Sequence, residues 1–93
     1  MKKHRIRIVY CPKCNWMLRA AWYAQELLYT FTDSIVALEL VPDSETAGRF
    51  EISVGEALIW ERKRDGGFPE IKELKQKIRD ELEPGRDLGH TDR

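Results

Sequence analysis

The chain has 93 residues, of which 42% are hydrophobic and 34% are charged, enough for one small domain. Its 16 basic and 16 acidic side chains cancel, which argues against a nucleic-acid-binding protein because such proteins need a basic surplus. No apolar run approaches the roughly 18 residues of a membrane-spanning helix, and charges interrupt the amino-terminal segment where a signal peptide would be apolar. We therefore expect a cytoplasmic protein that binds neither nucleic acid nor membranes.

The first predicted elements are a strand and a long helix. Residues 5–10 alternate polar and apolar side chains and are rich in β-branched residues, as in a half-buried strand. Pro12 suits the first turn of a helix, because it lacks an N–H group and its φ is preset. From about residue 13 to residue 32, apolar side chains recur at helical spacing in one broad stripe. A second, narrower stripe comprises Leu18, Trp22 and Tyr29. Two stripes predict a helix that is largely buried or that keeps an aromatic patch for a partner.

Three more strands are predicted in the middle of the chain. Residues 35–41 form a nearly continuous apolar run, which indicates a buried strand parallel to the first. A loop over residues 42–48 precedes an alternating strand over residues 50–54. Gly55 and Glu56 predict a type II′ hairpin turn into a fourth strand over residues 57–63, whose charged end is expected to face solvent.

The last predicted element is a helix that begins near Pro69. Apolar residues recur at helical spacing among charged ones, which predicts a surface helix packed on a sheet; they are Ile71, Leu74, Ile78 and Leu82. Pro84 and Gly85 end this helix, and we expect the polar tail over residues 84–93 to be mobile. The predicted order is β-α-β-β-β-α, in one domain over residues 1–83.

The only two cysteines, Cys11 and Cys14, form a C-x-x-C motif between the first strand and the first helix. In a βαβ unit this placement is typical of a thioredoxin-like redox motif. A helix that begins beside Cys11, together with Lys13, would stabilise a thiolate and lower the pKa of that thiol. Cys14, one turn inside the predicted helix, would then resolve mixed disulfides. We therefore predict that Cys11 attacks first, with Pro12 and Lys13 tuning the pair.

Other uses of the motif are less well supported. A closed zinc site needs four ligands, whereas one C-x-x-C offers two thiolates and His4 and His90 lie near opposite ends of the chain. We therefore expect no metal site within the chain, and a metal shared between two chains is the third hypothesis. A structural disulfide across so short a loop removes little entropy from the unfolded chain, and the expected compartment is reducing.

Two tryptophans follow the motif closely. The simpler interpretation of Trp16 and Trp22 is that they occupy core or partly covered positions. Aromatic rings beside a reactive thiol could instead receive a partner's chain, so these two residues are also a candidate partner patch.

The segments IRIVYCPKCNW and TAGRFEISVGEALIWERKRDGGFPEIKEL resemble the selenoprotein W-like family, also called Rdx. Its members carry a strand ending in V-Y-C-x-x followed by cysteine or selenocysteine, a T-G-x-F-E-V-x-V hairpin and a K-x-G-G-F-like approach to the last helix. The resemblance covers about residues 5–82. It implies a thioredoxin-like two-layer α/β sandwich, with a four-stranded mixed sheet and two helices on one face. The first strand would lie between the second and third, and the fourth at the edge.

This resemblance implies a small thiol–disulfide redox protein without a bound cofactor, whose partners are protein thiols or glutathione. The wall facing the motif, where thioredoxins carry a cis-proline, would be formed by Thr46, Ala47, Gly48 and Arg49. Gly48 would let the backbone approach the thiols closely. Selenoprotein members place selenocysteine at the position of Cys14, which conflicts with Cys11 as the attacking thiol. The alternative function is a non-catalytic interaction module in which the redox state of the motif gates docking of a partner.

Overall fold

Four strands and three helices make up the fold in the computed structural model, which describes residues 4–83. The strands are β1 (His4–Tyr10), β2 (Ile35–Pro42), β3 (Phe50–Val54) and β4 (Ala57–Glu61). The helices are α1 (Met17–Thr30), α2 (Arg62–Asp65) and α3 (Ile71–Leu82). The tail that the sequence predicts to be mobile, residues 84–93, lies outside the described residues.

The strands form a single mixed sheet in the order β2-β1-β3-β4. β1 runs parallel to β2 and antiparallel to β3, and β3 and β4 form an antiparallel hairpin. A parallel neighbour requires a crossover connection, which α1 supplies between β1 and β2. The predicted strand neighbours and the mixed α/β sheet are thus confirmed.

Both long helices cover the same face of the sheet, as predicted. Alternate strand residues such as Ile8 and Ile52 point into the core beneath them, where α1 contributes Leu27 and α3 contributes Leu74. All four of these side chains are inaccessible to solvent. None of the helices within residues 4–83 lies on the opposite face of the sheet, which presents an exposed ion pair between Arg7 and Glu39, 2.8 Å apart. The domain is therefore a two-layer sandwich with one open sheet face.

β2 is an edge strand rather than a buried one. Its nearly continuous apolar sequence predicts burial, but Val36 is 52% exposed and Leu40 is 39% exposed. Ile35 is its only buried residue. The prediction of a buried strand is wrong because β2 has one neighbouring strand and helices on one face only, although its parallel pairing is confirmed.

The first helix begins later than its periodicity predicts. Pro12–Cys14 forms a separate 3-10 turn, and Pro12 opens that turn as expected. Asn15 then adopts a left-handed conformation with φ of 63°, which interrupts helical hydrogen bonding. α1 consequently begins at Met17, and the prediction of a helix from residue 13 is wrong.

The fourth strand ends earlier than predicted. The Glu61 carboxylate accepts hydrogen bonds from the backbone N–H groups of Lys63 (3.2 Å) and Arg64 (2.7 Å), which caps α2. Residues 62 and 63, predicted as the end of the strand, therefore belong to this short helix. The preceding β3–β4 turn fits its prediction: Gly55 has a φ of 58° and Glu56 does not have a positive φ, as in a type II′ turn.

Candidate thiol site

Three chain segments meet at one end of the sheet. Tyr10, the last residue of β1, pairs with Pro42 on one side and with Phe50 on the other. The chain leaves β1 at this end, and the loop over residues 43–49 connects β2 to β3 here. β4 ends beside the start of β3, so α2 begins at the same end. The C-x-x-C motif, the 43–49 loop and α2 therefore lie together.

A single tight turn brings the cysteines together. The Cys14 N–H donates to the Cys11 carbonyl (3.3 Å), and the Asn15 N–H donates to the Pro12 carbonyl (3.1 Å). The Cα atoms of the two cysteines are 5.4 Å apart, and their sulfur atoms are joined in a disulfide. Left-handed Asn15 then directs the chain into α1, whose N-cap is Trp16. The turn itself, rather than α1, holds the two sulfurs within bonding reach.

The two cysteines differ in exposure. Cys11 is 1% exposed, whereas Cys14 is partly exposed. α1 begins at Met17, three residues after Cys14, so its unpaired N–H groups do not follow Cys11 directly. The predicted electrostatic advantage of Cys11 rested on Lys13 and on a long helix beginning beside it, and the structure places only a three-residue 3-10 turn there. Exposure favours Cys14 as the sulfur that a reactant reaches first.

Charged residues of the 43–49 loop hold it in place. The Asp43 carboxylate accepts bonds from the N–H groups of Glu45 (2.9 Å) and Thr46 (3.2 Å) and from Arg49 (2.8 Å). Arg49 also donates twice to Glu51, at 3.0 and 3.1 Å. The hydrogen bond from Arg49 lowers the pKa of Asp43, and the bonds to Glu51 and Asp43 raise the pKa of Arg49. Arg49, predicted to face a substrate, is thus engaged by two carboxylates of its own chain.

Arg62 connects this loop to the residues that follow the motif. Its Nε donates to the Gly48 carbonyl at 3.1 Å, and its guanidinium lies 5.1 Å from the centre of the Trp16 ring. Gly48 has a φ of 77°, and a Cβ added there would lie 3.2 Å from Arg62 Nη2. The close approach predicted at Gly48 is therefore to the Arg62 side chain. Among residues 4–83, no carboxylate forms an ion pair with Arg62.

Trp16 and Trp22 do not form one patch. Trp16 packs edge-on against Phe68, with ring centres 4.9 Å apart, and contributes to the edge of the core. Trp22 is 47% exposed and contacts Tyr23, with ring centres 5.4 Å apart. The core interpretation thus holds for Trp16, and only Trp22 is placed as a surface residue. The other exposed residues of the predicted site are Lys13, Thr46 and Ala47.

Two depressions border the 43–49 loop. One of about 570 Å³ extends over the open sheet face and is lined partly by Arg7 and Arg49. Another of about 270 Å³ lies between the loop and the start of α2, where Glu61 and Lys63 line it. Neither depression is lined by a cysteine. Within the described part of the chain, no group of three or more potential ligands could hold a metal ion, and no helix could cross a membrane.

Sequence reasoning missed Asn15 and Arg62. Asn15 carried a usable signal, because asparagine tolerates the left-handed conformation and follows the motif directly. Arg62 carried no such sequence signal. Its charged neighbours suggest the solvated end of a strand, and its hydrogen-bond partner Gly48 is 14 residues away. The buried Tyr23 was missed as well. Its hydroxyl donates to the Pro69 carbonyl (2.7 Å), and burial raises its pKa.

Fold and site together define a small α/β domain that carries a C-x-x-C disulfide at the carboxyl end of an inner strand. The model of the Rdx family matches residues 5–80, and the chain belongs to this family. The resemblance predicted from the sequence is thereby confirmed.

Solved structures support the same relationship. The chain is similar to the crystal structure of a selenoprotein W-related protein from Vibrio cholerae, with 55% identity and a TM-score of 0.83, over 88% of this chain and 100% of that chain. It is also similar to a crystal structure from Bordetella parapertussis, with 53% identity and a TM-score of 0.81, over 85% of this chain and 98% of that one. The comparison with curated proteins finds no match. The relation to selenoprotein W and the paired cysteines are consistent with a redox role.

Proposed function

We propose that this protein is a thiol–disulfide redox protein in which Cys14 is the attacking thiol and Cys11 the resolving one. The observation that carries the proposal is the pairing of a partly exposed sulfur with a buried one in a single turn. An attacking thiol has to be reached by its substrate, whereas a resolving thiol needs to reach only its neighbour. This order reverses the one predicted from helix placement and agrees with the selenocysteine position that the family resemblance implies.

The proposed reaction is a two-electron exchange. The Cys14 thiolate attacks one sulfur of a substrate disulfide, which forms a mixed disulfide and releases the other substrate sulfur as a thiolate. The Cys11 thiolate then attacks the Cys14 sulfur, which forms the Cys11–Cys14 disulfide and releases the second substrate thiolate. The substrate is reduced by two electrons and the protein is oxidised by two. Two molecules of a thiol such as glutathione would return the pair to its reduced form and leave as a disulfide.

A trapping experiment tests the order of attack. Reduced Cys11→Ser is expected to accumulate mixed disulfides through Cys14 with oxidised glutathione or protein disulfides, because its resolving thiol is missing. Cys14→Ser is expected to trap little, since its remaining thiol is buried. Mass spectrometry of the non-reduced variants identifies the bound sulfur, and the double variant is the control. Trapping mainly through Cys11 would reverse the assignment.

A redox titration tests whether the pair cycles at all. We expect a reversible Cys11–Cys14 disulfide with a reduction potential in the range of exchange-active pairs, between about −120 and −270 mV. A potential below about −300 mV would identify an inert structural disulfide and contradict the proposed function. Stoichiometric zinc in the purified protein would instead favour the metal hypothesis.

A second candidate function is a redox-gated interaction module. It is supported by exposed apolar residues on α1, which begins three residues after Cys14. In this case neither cysteine variant would trap a substrate, and only the oxidised or only the reduced protein would bind a partner. Comparing binding by the two redox forms separates this function from catalysis.

A further inference from the structure

The outward face of α1 is uncharged and largely apolar along its length. Its large exposed side chains are Met17 (47%), Leu18 (75%), Trp22 (47%), Leu28 (44%) and Tyr29 (85%). At 3.6 residues per turn, these five residues occupy a single arc of about 140° around the helix axis. We call this surface the α1 outer face.

No other described element covers the α1 outer face. The buried residues of α1, among them Ala20 and Leu27, project from the opposite side toward the sheet. α3 contacts a third side of the helix, where Lys75 binds Glu26 at 2.9 Å. The arc also lacks charge: Gln25 and Ala21 are its only other members. A solvent-facing helix surface without a charged residue is unusual in a chain in which 34% of residues are charged.

We propose that the α1 outer face packs against the same face of a second copy of this chain, as an antiparallel helix pair about a two-fold axis. An isologous contact requires a surface that is complementary to itself, and an uncharged apolar surface does not repel its copy. In such a pair, Leu18 of one copy lies against Tyr29 of the other. Trp22 lies at one border of the arc but halfway along the helix, and therefore close to the two-fold axis, where large aromatic side chains contribute most to binding.

The size of the surface agrees with a reversible dimer. Taking roughly 150–250 Å² for each large side chain, the exposed area of the α1 outer face is on the order of 500 Å². Two copies would bury about 1,000 Å² in total, near the lower limit for specific interfaces. A patch of this area lies within the upper range for monomers and is often functional. This proposal does not rest on the redox function, since none of the interface residues is a cysteine.

Sedimentation equilibrium of the full chain over a range of concentrations tests the proposal. We expect a monomer–dimer equilibrium, and we expect the double variant Leu18→Lys/Tyr29→Lys to raise its dissociation constant at least tenfold. Both residues are exposed, so circular dichroism should show an unchanged fold. Leu58→Lys is the matched control, because Leu58 is 43% exposed but lies on β4, and it should leave the dissociation constant unchanged.

Three results would overturn the proposal. They are a monomer at every concentration, a dimer that the double variant does not weaken, and a dimer that Leu58→Lys weakens equally. Repeating the measurement with Cys11→Ser/Cys14→Ser removes intermolecular disulfides as a cause of association. Because this variant lacks the proposed redox chemistry, a dimer that persists in it separates the interface from the thiol reaction. If the trapping experiment fails, the dimer proposal is unaffected. If no dimer forms, the proposed thiol reaction is unaffected.

Discussion

Arg62 joins segments that are far apart in the sequence. Its hydrogen bond to Gly48 fixes the loop facing the motif, and its guanidinium lies over Trp16, two residues after Cys14. It therefore links the 43–49 loop to the residue two positions after Cys14 without belonging to the C-x-x-C motif. A side chain in this place acts through the geometry of the thiol turn, and we regard it as a positioning residue.

Arg62→Met is expected to slow thiol–disulfide exchange by Cys14 several-fold while costing only about 1 kcal/mol of stability. The variant keeps an unbranched side chain against Trp16 but loses the hydrogen bond and the charge. Rates of exchange with oxidised glutathione and urea denaturation of the variant and the wild-type protein measure the two effects. Arg64→Met is the matched control, because Arg64 pairs with Asp65 in the same helix. Equal effects of the two variants would contradict the positioning role.

Gly48→Ala is expected to lower the free energy of unfolding by about 1–2 kcal/mol, because an alanine at a φ of 77° is strained. Its Cβ would also displace the Arg62 guanidinium, so exchange by Cys14 should slow as well. Gly66→Ala provides the comparison: Gly66 has a φ of 82°, but an added Cβ meets nothing within 4 Å. Chemical denaturation should show similar losses for both variants, and slower exchange for Gly48→Ala alone. If both variants retain normal exchange, Arg62 does not position the site.

At the scale of elements, α2 depends on a carboxylate at its start. Glu61 accepts hydrogen bonds from two backbone N–H groups of this four-residue helix, and these bonds lower its pKa. The neighbouring Asp65 also has a lowered pKa, mainly through its hydrogen bond with Arg64. A carboxyl group with a lower pKa in the folded state stabilises the fold above its unfolded pKa and loses this contribution as the pH falls.

The free energy of unfolding is therefore expected to decrease as the pH falls below about 4.5, the ordinary pKa of a glutamate, and through the lower pKa of folded Glu61. Glu61→Gln should flatten this part of the dependence, because a neutral amide does not titrate. Urea denaturation at a series of pH values measures both curves. Glu56→Gln, at the exposed hairpin turn, is the control. Parallel curves for Glu61→Gln and the wild-type protein would contradict the capping role.

Elements that show a hydrophobic pattern or a characteristic turn residue were predicted from the sequence. Features set by a single residue within such a pattern, or by distant contacts, were not. In β1 and β3 polar and apolar side chains alternate, and the turn at Gly55 is likewise set by residues close together in the sequence. These elements could therefore be predicted. The interruption at Asn15 lies inside a region whose apolar spacing continues on both sides, and periodicity alone could not place it. The same limit applied to the site. Both cysteines were found from their spacing, but their unequal burial depends on the whole fold.

At the scale of the whole molecule, an ion pair between Lys75 and Glu26 joins the two helices that cover the sheet. Lys75 of α3 is 2% exposed and binds Glu26 of α1 at 2.9 Å. The apolar stripe of α3 was predicted from its spacing, yet Lys75 is as buried as that stripe. A buried charge that is paired contributes little net stability, because desolvation offsets most of the attraction.

Lys75→Met is therefore expected to change the free energy of unfolding by no more than about 1 kcal/mol, because methionine fills the space of the lysine stem without a charge. Lys75→Ala should cost about 2–4 kcal/mol, since it leaves a cavity between the helices. Urea denaturation of both variants measures the difference. A large loss in Lys75→Met would show that the charge itself stabilises the helix pair.

The burial of Cys11 makes its thiol a reporter of how often the chain at the end of β1 opens to solvent. Cys11 directly follows β1, one of the two inner strands of the sheet, and its side chain has almost no contact with solvent. In the reduced Cys14→Ser variant, we expect an alkylating reagent to reach Cys11 only while the chain around residue 11 is transiently open. The ratio of its labelling rate to that of a free thiol then gives the equilibrium constant for this local opening. The same sulfur that completes the proposed reaction thus reports the local fluctuations of the segment that contains it.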